Sequence, residues 1–483
     1  MKLPALASPK IAVWMVMNMA IAGVATYALV APSTTVARRI FLPGETTHGH
    51  YQIELACDQC HLTNGGNDES STSNVMQDAC LRCHETDLDT ANDTHPASKF
   101  NDPVHADLLK ILDAQSCLSC HREHVAERTL AMGLTVPSDY CWHCHQDVAE
   151  SRPSHEGMRY DSCATTGCHN YHDNRALYEK YLDKHHGEAD ILDDATLILL
   201  TSQQTGDDQT QKTRTQVVPD INDADPQIVR QWSSSAHFSA GVNCKQCHQS
   251  EAGDANAIRD AKTPAGSGTA WNDHVALDTC RQCHARQSET FLQGKHGMRL
   301  AVGLPEMQVA MARLPMRSDA AHRQLNCNSC HAAHIDDIQH AAVDACLGCH
   351  NDDHSLAYLD SSHAELWRQE LSGEIDAGLG VTCGTCHMPR VATGDNSFVN
   401  HNQNSVLRPV ETMVREVCQR CHGLEFSFNA VADPELAKTC FDRAPEKTVT
   451  SVEMAHEWFE QRRNRQQRRK KSSSRKFPVL HLF

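Results

Sequence analysis

Ten times in this chain a pair of cysteines two residues apart is followed at once by a histidine. The pairs are Cys57/Cys60, Cys80/Cys83, Cys117/Cys120, Cys141/Cys144, Cys244/Cys247, Cys280/Cys283, Cys327/Cys330, Cys346/Cys349, Cys383/Cys386 and Cys418/Cys421. Thiols at this spacing can add across the two vinyl groups of a haem, and the next histidine then supplies the proximal ligand to its iron. Two intervening residues span one porphyrin edge and put the following side chain beneath the metal. An eleventh site reads Cys163-Ala-Thr-Thr-Gly-Cys168-His169, with a glycine that lets the longer loop fold back. The expected proximal ligands are His61, His84, His121, His145, His169, His248, His284, His331, His350, His387 and His422. Eleven sites use 22 of the 23 cysteines and leave only Cys440, which reads as a free buried thiol, an intermolecular disulfide or a lipid attachment point. Zinc ribbons also pair their cysteines but need no trailing histidine, and here every pair has one, so neither a zinc framework nor a disulfide framework fits.

Of 32 histidines, 21 remain after the proximal set, more than enough to give each iron a second imidazole. Three lie one helical turn past a proximal histidine, where they can reach a neighbouring site: His124, His172 and His334. The other candidates are His50, His95, His105, His155 and His186 in the first half, and His237, His296, His322, His354, His363 and His401 in the second. His143, inside a motif, and His456 and His481, near the C-terminus, are left out of the set. Two imidazoles per iron would make the haems low-spin and low in potential. No catalytic residue can be named from the sequence.

The elements that must hold these sites are short. Aromatic residues are 5% of the chain and the hydrophobic fraction is 40%, so an apolar core is thin. With about one site per 44 residues, the haems themselves have to supply the core. Such a chain is expected to fold only once loaded. The expected class is mostly α with much irregular coil around a stacked haem core, plus an N-terminal transmembrane helix. Ile11 to Val30 is 20 residues without a charge, about what a bilayer span needs. It reads as an uncleaved anchor for residues 1–40, with a removed secretory signal as the alternative. Attachment of haem outside the cytoplasm puts the rest of the chain on the periplasmic side of a bacterial cytoplasmic membrane.

Residues 41–200 carry five sites and end in a helical pattern. Residues 201–228 are polar and acidic and read as a linker. Residues 229–445 carry six sites. Residues 446–483 form a basic tail, in which Arg462 to Lys476 holds nine Lys or Arg and no acid; without those nine the net charge of −17 becomes −26. A run of this kind reads as a solvated, disordered tail, or as a docking element for anionic lipid or an acidic partner.

Over roughly residues 50–425 the motifs make the chain resemble a multihaem c-type cytochrome. The first half is similar to the small multihaem electron-transfer cytochromes, including the tetrahaem cytochromes of sulfate reducers. In the second half, three stretches resemble the hydroxylamine oxidoreductase and pentahaem nitrite reductase superfamily. They are Trp232-Ser-Ser-Ser-Ala-His237, Gly294-Lys-His296-Gly, and Cys383-Gly-Thr-Cys-His387-Met-Pro with Val399-Asn-His401-Asn. That resemblance implies that a histidine after the Cys-His-Met-Pro segment reaches back to an earlier haem. The chain departs from the superfamily in having six sites there and no motif ending in lysine.

Two functions follow as expectations. One is transfer of single electrons along eleven covalently attached c-type haems, between a membrane quinol or oxidoreductase and a periplasmic or extracellular acceptor. The other is an oxidoreductase in which one five-coordinate haem acts on nitrite, hydroxylamine or a sulfur oxyanion. The expected partners are the membrane and other redox proteins, with no nucleic acid.

Overall fold

The computed structural model describes residues 9–30, 42–62, 72–91, 95–101, 103, 106–125, 136–137, 139–161, 163, 171–173, 179–193, 218–221, 224–251, 269–335, 337–393, 396–407 and 410–474. Cys168, His169, His105 and most of the expected 201–228 linker lie outside them.

The architecture is mostly helical with much coil. Its longer elements are α1 (Pro9–Val30), α2 (Thr72–Ala91), α3 (Ala106–Leu112), α4 (Glu179–His185), α5 (Pro226–Ser233), α6 (Ala285–Gln293), α7 (Ser362–Ser372), α8 (Val410–Glu416), α9 (Leu424–Val431) and α10 (Thr450–Ser474). Two antiparallel hairpins interrupt them: β1 (Gln249–Glu251) with β2 (Thr269–Trp271), and β3 (Arg390–Thr393) with β4 (Asn396–Val399). The backbone clusters into two compact units, residues 1–85 with 102–136, and residues 86–101 with 137–483. Sites 1 to 3, counted in chain order, lie in the first unit. Sites 4 to 11 lie in the second.

The sequence grouped the sites as five and six. Helix α4 and the residues just after it reach across that grouping. They close the expected first half, yet they pack on the last site: Leu192 N donates to Cys421 O at 2.8 Å, His422 Nδ1 donates to Asp190 O at 2.9 Å, and Tyr181 hydroxyl bonds Gln419. Such pairing, more than 200 residues apart in sequence, leaves no local signal.

The apolar core is dispersed into small clusters. One joins Val414, Leu424 and Phe428; another joins Met307, Val309, Ala320 and Leu325. Two others wrap around motif cysteines: Val343, Tyr358, Ala364 and Cys440 around Cys383, and Val406, Met413 and Val417 around Cys386 and Cys418. This is the thin core the composition implied.

Two terminal elements depart from expectation. Helix α1 forms over the apolar stretch, but among the described residues no helix is long and apolar enough to cross a membrane. At the other end, residues 450–474 are a helix where a disordered tail was expected. Phe459 is buried on the body, Arg462 lies 5.1 Å over the Trp458 ring, and Arg, Lys and Gln are good helix formers.

Candidate functional site

Among the described residues the motifs fold as tight helical turns, and Cys80–His84 lies within α2. The histidine N–H donates to the carbonyl of the first cysteine, four residues back: His61 to Cys57 at 2.8 Å, His145 to Cys141 at 3.1 Å, His331 to Cys327 at 2.9 Å, His350 to Cys346 at 2.8 Å and His422 to Cys418 at 2.9 Å. A bond of this span closes one turn and brings the first cysteine and the histidine to the same side. Polar residues before and between the cysteines start the turn. Asn243 and Gln246 form a reciprocal cap on Cys244–His248, and Thr382 and Thr385 form one on Cys383–His387. Among the described residues the cysteines form no disulfide.

Nine motif histidines each face a second histidine. Ring centroids are 6.4 Å apart for His61 and His124, 5.9 Å for His84 and His50, and 6.1 Å for His145 and His95. They are 5.9 Å for His248 and His334, 6.1 Å for His284 and His237, and 6.1 Å for His331 and His401. They are 6.3 Å for His350 and His296, 6.0 Å for His387 and His354, and 6.3 Å for His422 and His363. A metal bound at roughly 2.0 Å by a nitrogen of each ring would hold the centroids about 6 Å apart. The pairs therefore fit an iron between two imidazoles.

Six of the second histidines are oriented by the nitrogen that would not bind. Nδ1 of His124 donates to Gly44 O at 2.9 Å, of His237 to Ala333 O at 3.0 Å, and of His401 to Val399 O at 2.9 Å. His95 and His354 donate in the same way to Tyr171 O and Ala437 O. His50 donates to Glu123 Oε1 at 2.6 Å, and Thr47 N–H and hydroxyl donate to the same carboxylate. Burial opposes ionisation of Glu123, but His50 and Thr47 hold its carboxyl down at about 2. Locking Nδ1 fixes the tautomer and presents Nε2. Burial, aided by the neighbouring imidazoles, lowers His296 and His387 to about 4, which keeps both rings neutral and able to donate a lone pair.

Backbone conformation serves these placements. His124 sits at φ 61°, an uncommon region for a side-chain-bearing residue, and this turns it away from its own motif toward His61. Gly44 approaches the His124 carbonyl so closely that a Cβ would clash with it. A Cβ on Gly294 would meet Gln403 Oε1 at 2.5 Å and His401 O at 3.1 Å, so the loop entering His296 and the loop bearing His401 pack backbone to side chain. His401 follows β4, and its N–H donates to Thr290 Oγ1 on α6 at 3.0 Å.

Neighbouring sites touch through their cysteines. The Cys80 and Cys117 thiols hydrogen-bond each other, as do Cys280 with Cys327 and Cys346 with Cys383. Cys60 lies within charge–charge reach of Cys83, Cys247 of Cys280, Cys330 of Cys346, and Cys386 of Cys418. Once alkylated by haem these sulfurs would carry no proton; their proximity is what persists. Sites 6 to 11 form an unbroken file in sequence order, and sites 1 to 3 form a shorter one.

The cysteines of the motifs differ in what surrounds them. Cys120, Cys283 and Cys349, expected like the rest to form thioethers, are second cysteines with surroundings unlike those of the joined thiols. Cys120 is half-buried with its Sγ 3.8 Å from Ser119 Oγ, Cys283 is exposed, and Cys349 packs against the cluster of Met307, Val309, Ala320 and Leu325. All three keep their place in the motif turn. Cys120 ends the turn Cys117–Cys120, Cys283 N donates to Cys280 O at 3.2 Å, and Cys349 N donates to Cys346 O at 3.0 Å. At the fourth and fifth sites, burial raises the Cys144 thiol, and Cys163 Sγ lies 3.9 Å from Tyr160 O.

The remaining candidate histidines are placed differently. His322 is exposed and, among the described residues, faces no motif histidine. His155 Nδ1 lies 3.1 Å from Ser154 Oγ, and His172 packs edge-on against Tyr171. His186 lies against Glu425 and His456. Sequence reasoning missed Glu123, which a Cys-His-x-Glu-His reading of residues 120–124 could have offered as a partner for a histidine. It also set aside His456.

A family model described as cytochrome c3 matches residues 49–146, over the first four motifs, and one described as cytochrome c552 matches residues 356–427, over the last two. No curated protein and no solved structure matches the chain. Repeated haem-attachment turns, paired imidazoles sized for an iron and these two matched segments lead to one conclusion: the chain is a multihaem c-type cytochrome, with covalently bound haem c.

Proposed function

We propose that this protein is a membrane-anchored cytochrome with eleven haems that moves single electrons between a membrane quinol or oxidoreductase and a periplasmic or extracellular acceptor. When bound, haem c supplies the one-electron chemistry of its iron. The chain's own residues do the rest. Cysteines fix the porphyrin edges, paired histidines close both axial positions, and Nδ1 partners hold the rings in place.

The observation that carries this reading is the file of six sites from Cys244 to His422, each with a facing histidine. An enzyme of the nitrite- or hydroxylamine-converting kind needs one axial position open to substrate. The second half, where that activity was the alternative, leaves none of its six motif histidines without a second imidazole in front of it. Membrane anchoring is supported by α1, on which the large apolar side chains Val13, Trp14, Met15, Val16, Met17, Met19 and Ile21 are all exposed. The basic run on α10, exposed from Gln461 to Lys471, suits anionic lipid or an acidic redox partner.

Protein-film voltammetry of the holoprotein tests the reading. Reversible waves that nitrite, hydroxylamine and sulfite leave unchanged are expected. A sustained catalytic current with any of them would contradict it.

A further inference from the structure

Away from the motif histidines, three side chains from three elements converge: His186 directly after α4, Glu425 in the first turn of α9, and His456 on α10. His186 Nδ1 lies 2.9 Å from Glu425 Oε1, and His456 Nδ1 lies 3.6 Å from the same oxygen. The ligand atoms of all three fall within 4.8 Å of one another. The two imidazoles meet edge to face at 4.9 Å, and Phe459, buried, stacks on His186 at 4.8 Å. Two ligands bound at roughly 2.1 Å to one ion lie about 3.0 Å apart in an octahedral site and about 3.4 Å apart in a tetrahedral one. The two measured separations lie close to these values. A single carboxylate oxygen flanked by two imidazole nitrogens is also the donor set that borderline divalent metals prefer.

We propose that His186, Glu425 and His456 form a mononuclear site for a divalent transition metal such as zinc, separate from the haems, with at least one position left to water. The ion clips α10, and with it the basic run, to α4 and α9. It would explain why a segment so rich in Arg and Lys holds a fixed helix against the body. It also gives His186 a role other than the haem ligation the sequence suggested.

The test uses the haem-loaded full chain, dialysed against a chelator and titrated with zinc chloride by calorimetry, with bound zinc counted by elemental analysis. The wild type is expected to take one more tightly bound zinc than His456→Ala or Glu425→Gln, with the haem spectrum unchanged in both. Affinity at that site should fall at least about tenfold, the loss that even an outer-shell partner causes. His456→Asp, which restores a ligand, should recover the extra zinc, so a general folding defect is told apart. Equal zinc stoichiometry and affinity in the wild type and both variants overturns the proposal. So does a His186→Ala variant that loses a low-spin haem signal while its zinc count stays intact, since His186 would then serve a haem.

Discussion

His401 is joined to its partner His331 only through space, 70 positions back along the chain, and it is the side chain whose removal gives the cleanest reading. His401→Ala leaves His331 as the only protein ligand seen at site 8. One iron of eleven should turn high-spin and bind carbon monoxide, and that site's potential should move by on the order of 100 mV within the wide range axial ligands command. Visible spectroscopy of the reduced protein with and without carbon monoxide checks it. Cys440 gives a second prediction at this scale. Burial pushes its thiol up from 9.0 to about 12, and in the loaded protein it is the one cysteine outside a motif. The unfolded chain would ionise above pH 9 while the folded thiol keeps its proton, so this group's contribution to stability is fully present below pH 9 and is lost as pH rises toward 12. Iodoacetamide at pH 8 should leave the native protein unlabelled and add one label after denaturation. A label on the native protein would show an open thiol; none after denaturation would show one already blocked. The attachment residues were legible in the sequence because their spacing is local and rigid. What each of those cysteines touches was not, as the differing surroundings of Cys120, Cys283 and Cys349 show. The second ligands were legible only as a pool, since which histidine faces which iron depends on contacts tens of residues apart.

Among the elements, the short capped turns could be foreseen and the long-range docking could not. Asn243 and Thr382 announce helix starts by residue type alone. Nothing in α4 announces that it packs beside site 11. Helix α10 misled because its charge pattern resembles a disordered tail, while the docking of Phe459 that holds it comes from the body. Helix α1 carries the prediction that belongs here. It displays seven large apolar side chains between Val13 and Ile21 and has no charge from Ile11 to Val30. The cytochrome should therefore stay with membranes through an alkaline wash, and deletion of residues 1–40 should release it with its haem content unchanged. Release of the intact chain by the wash would remove the anchor from the account.

At the scale of the whole molecule, the organising fact is that the apolar core of the described residues is divided into small clusters. Small apolar clusters wrap motif cysteines, and imidazole pairs line up in sequence order from His248 to His422. On the proposed reading, the interior of such a protein holds irons in a file between paired imidazoles. The repeated attachment motifs and the thin core were plain from composition and spacing. The two compact units of the backbone were not, because they rest on which distant segments pack together. The central claim is that every iron is held by two imidazoles. The most direct test is a low-temperature electron paramagnetic resonance spectrum of the fully oxidised protein, quantified against total haem and repeated with nitrite and with nitric oxide. The account predicts low-spin ferric signals only, unchanged by either ligand. A high-spin signal from about one iron in eleven that disappears on ligand binding would contradict it and restore an enzyme's open site.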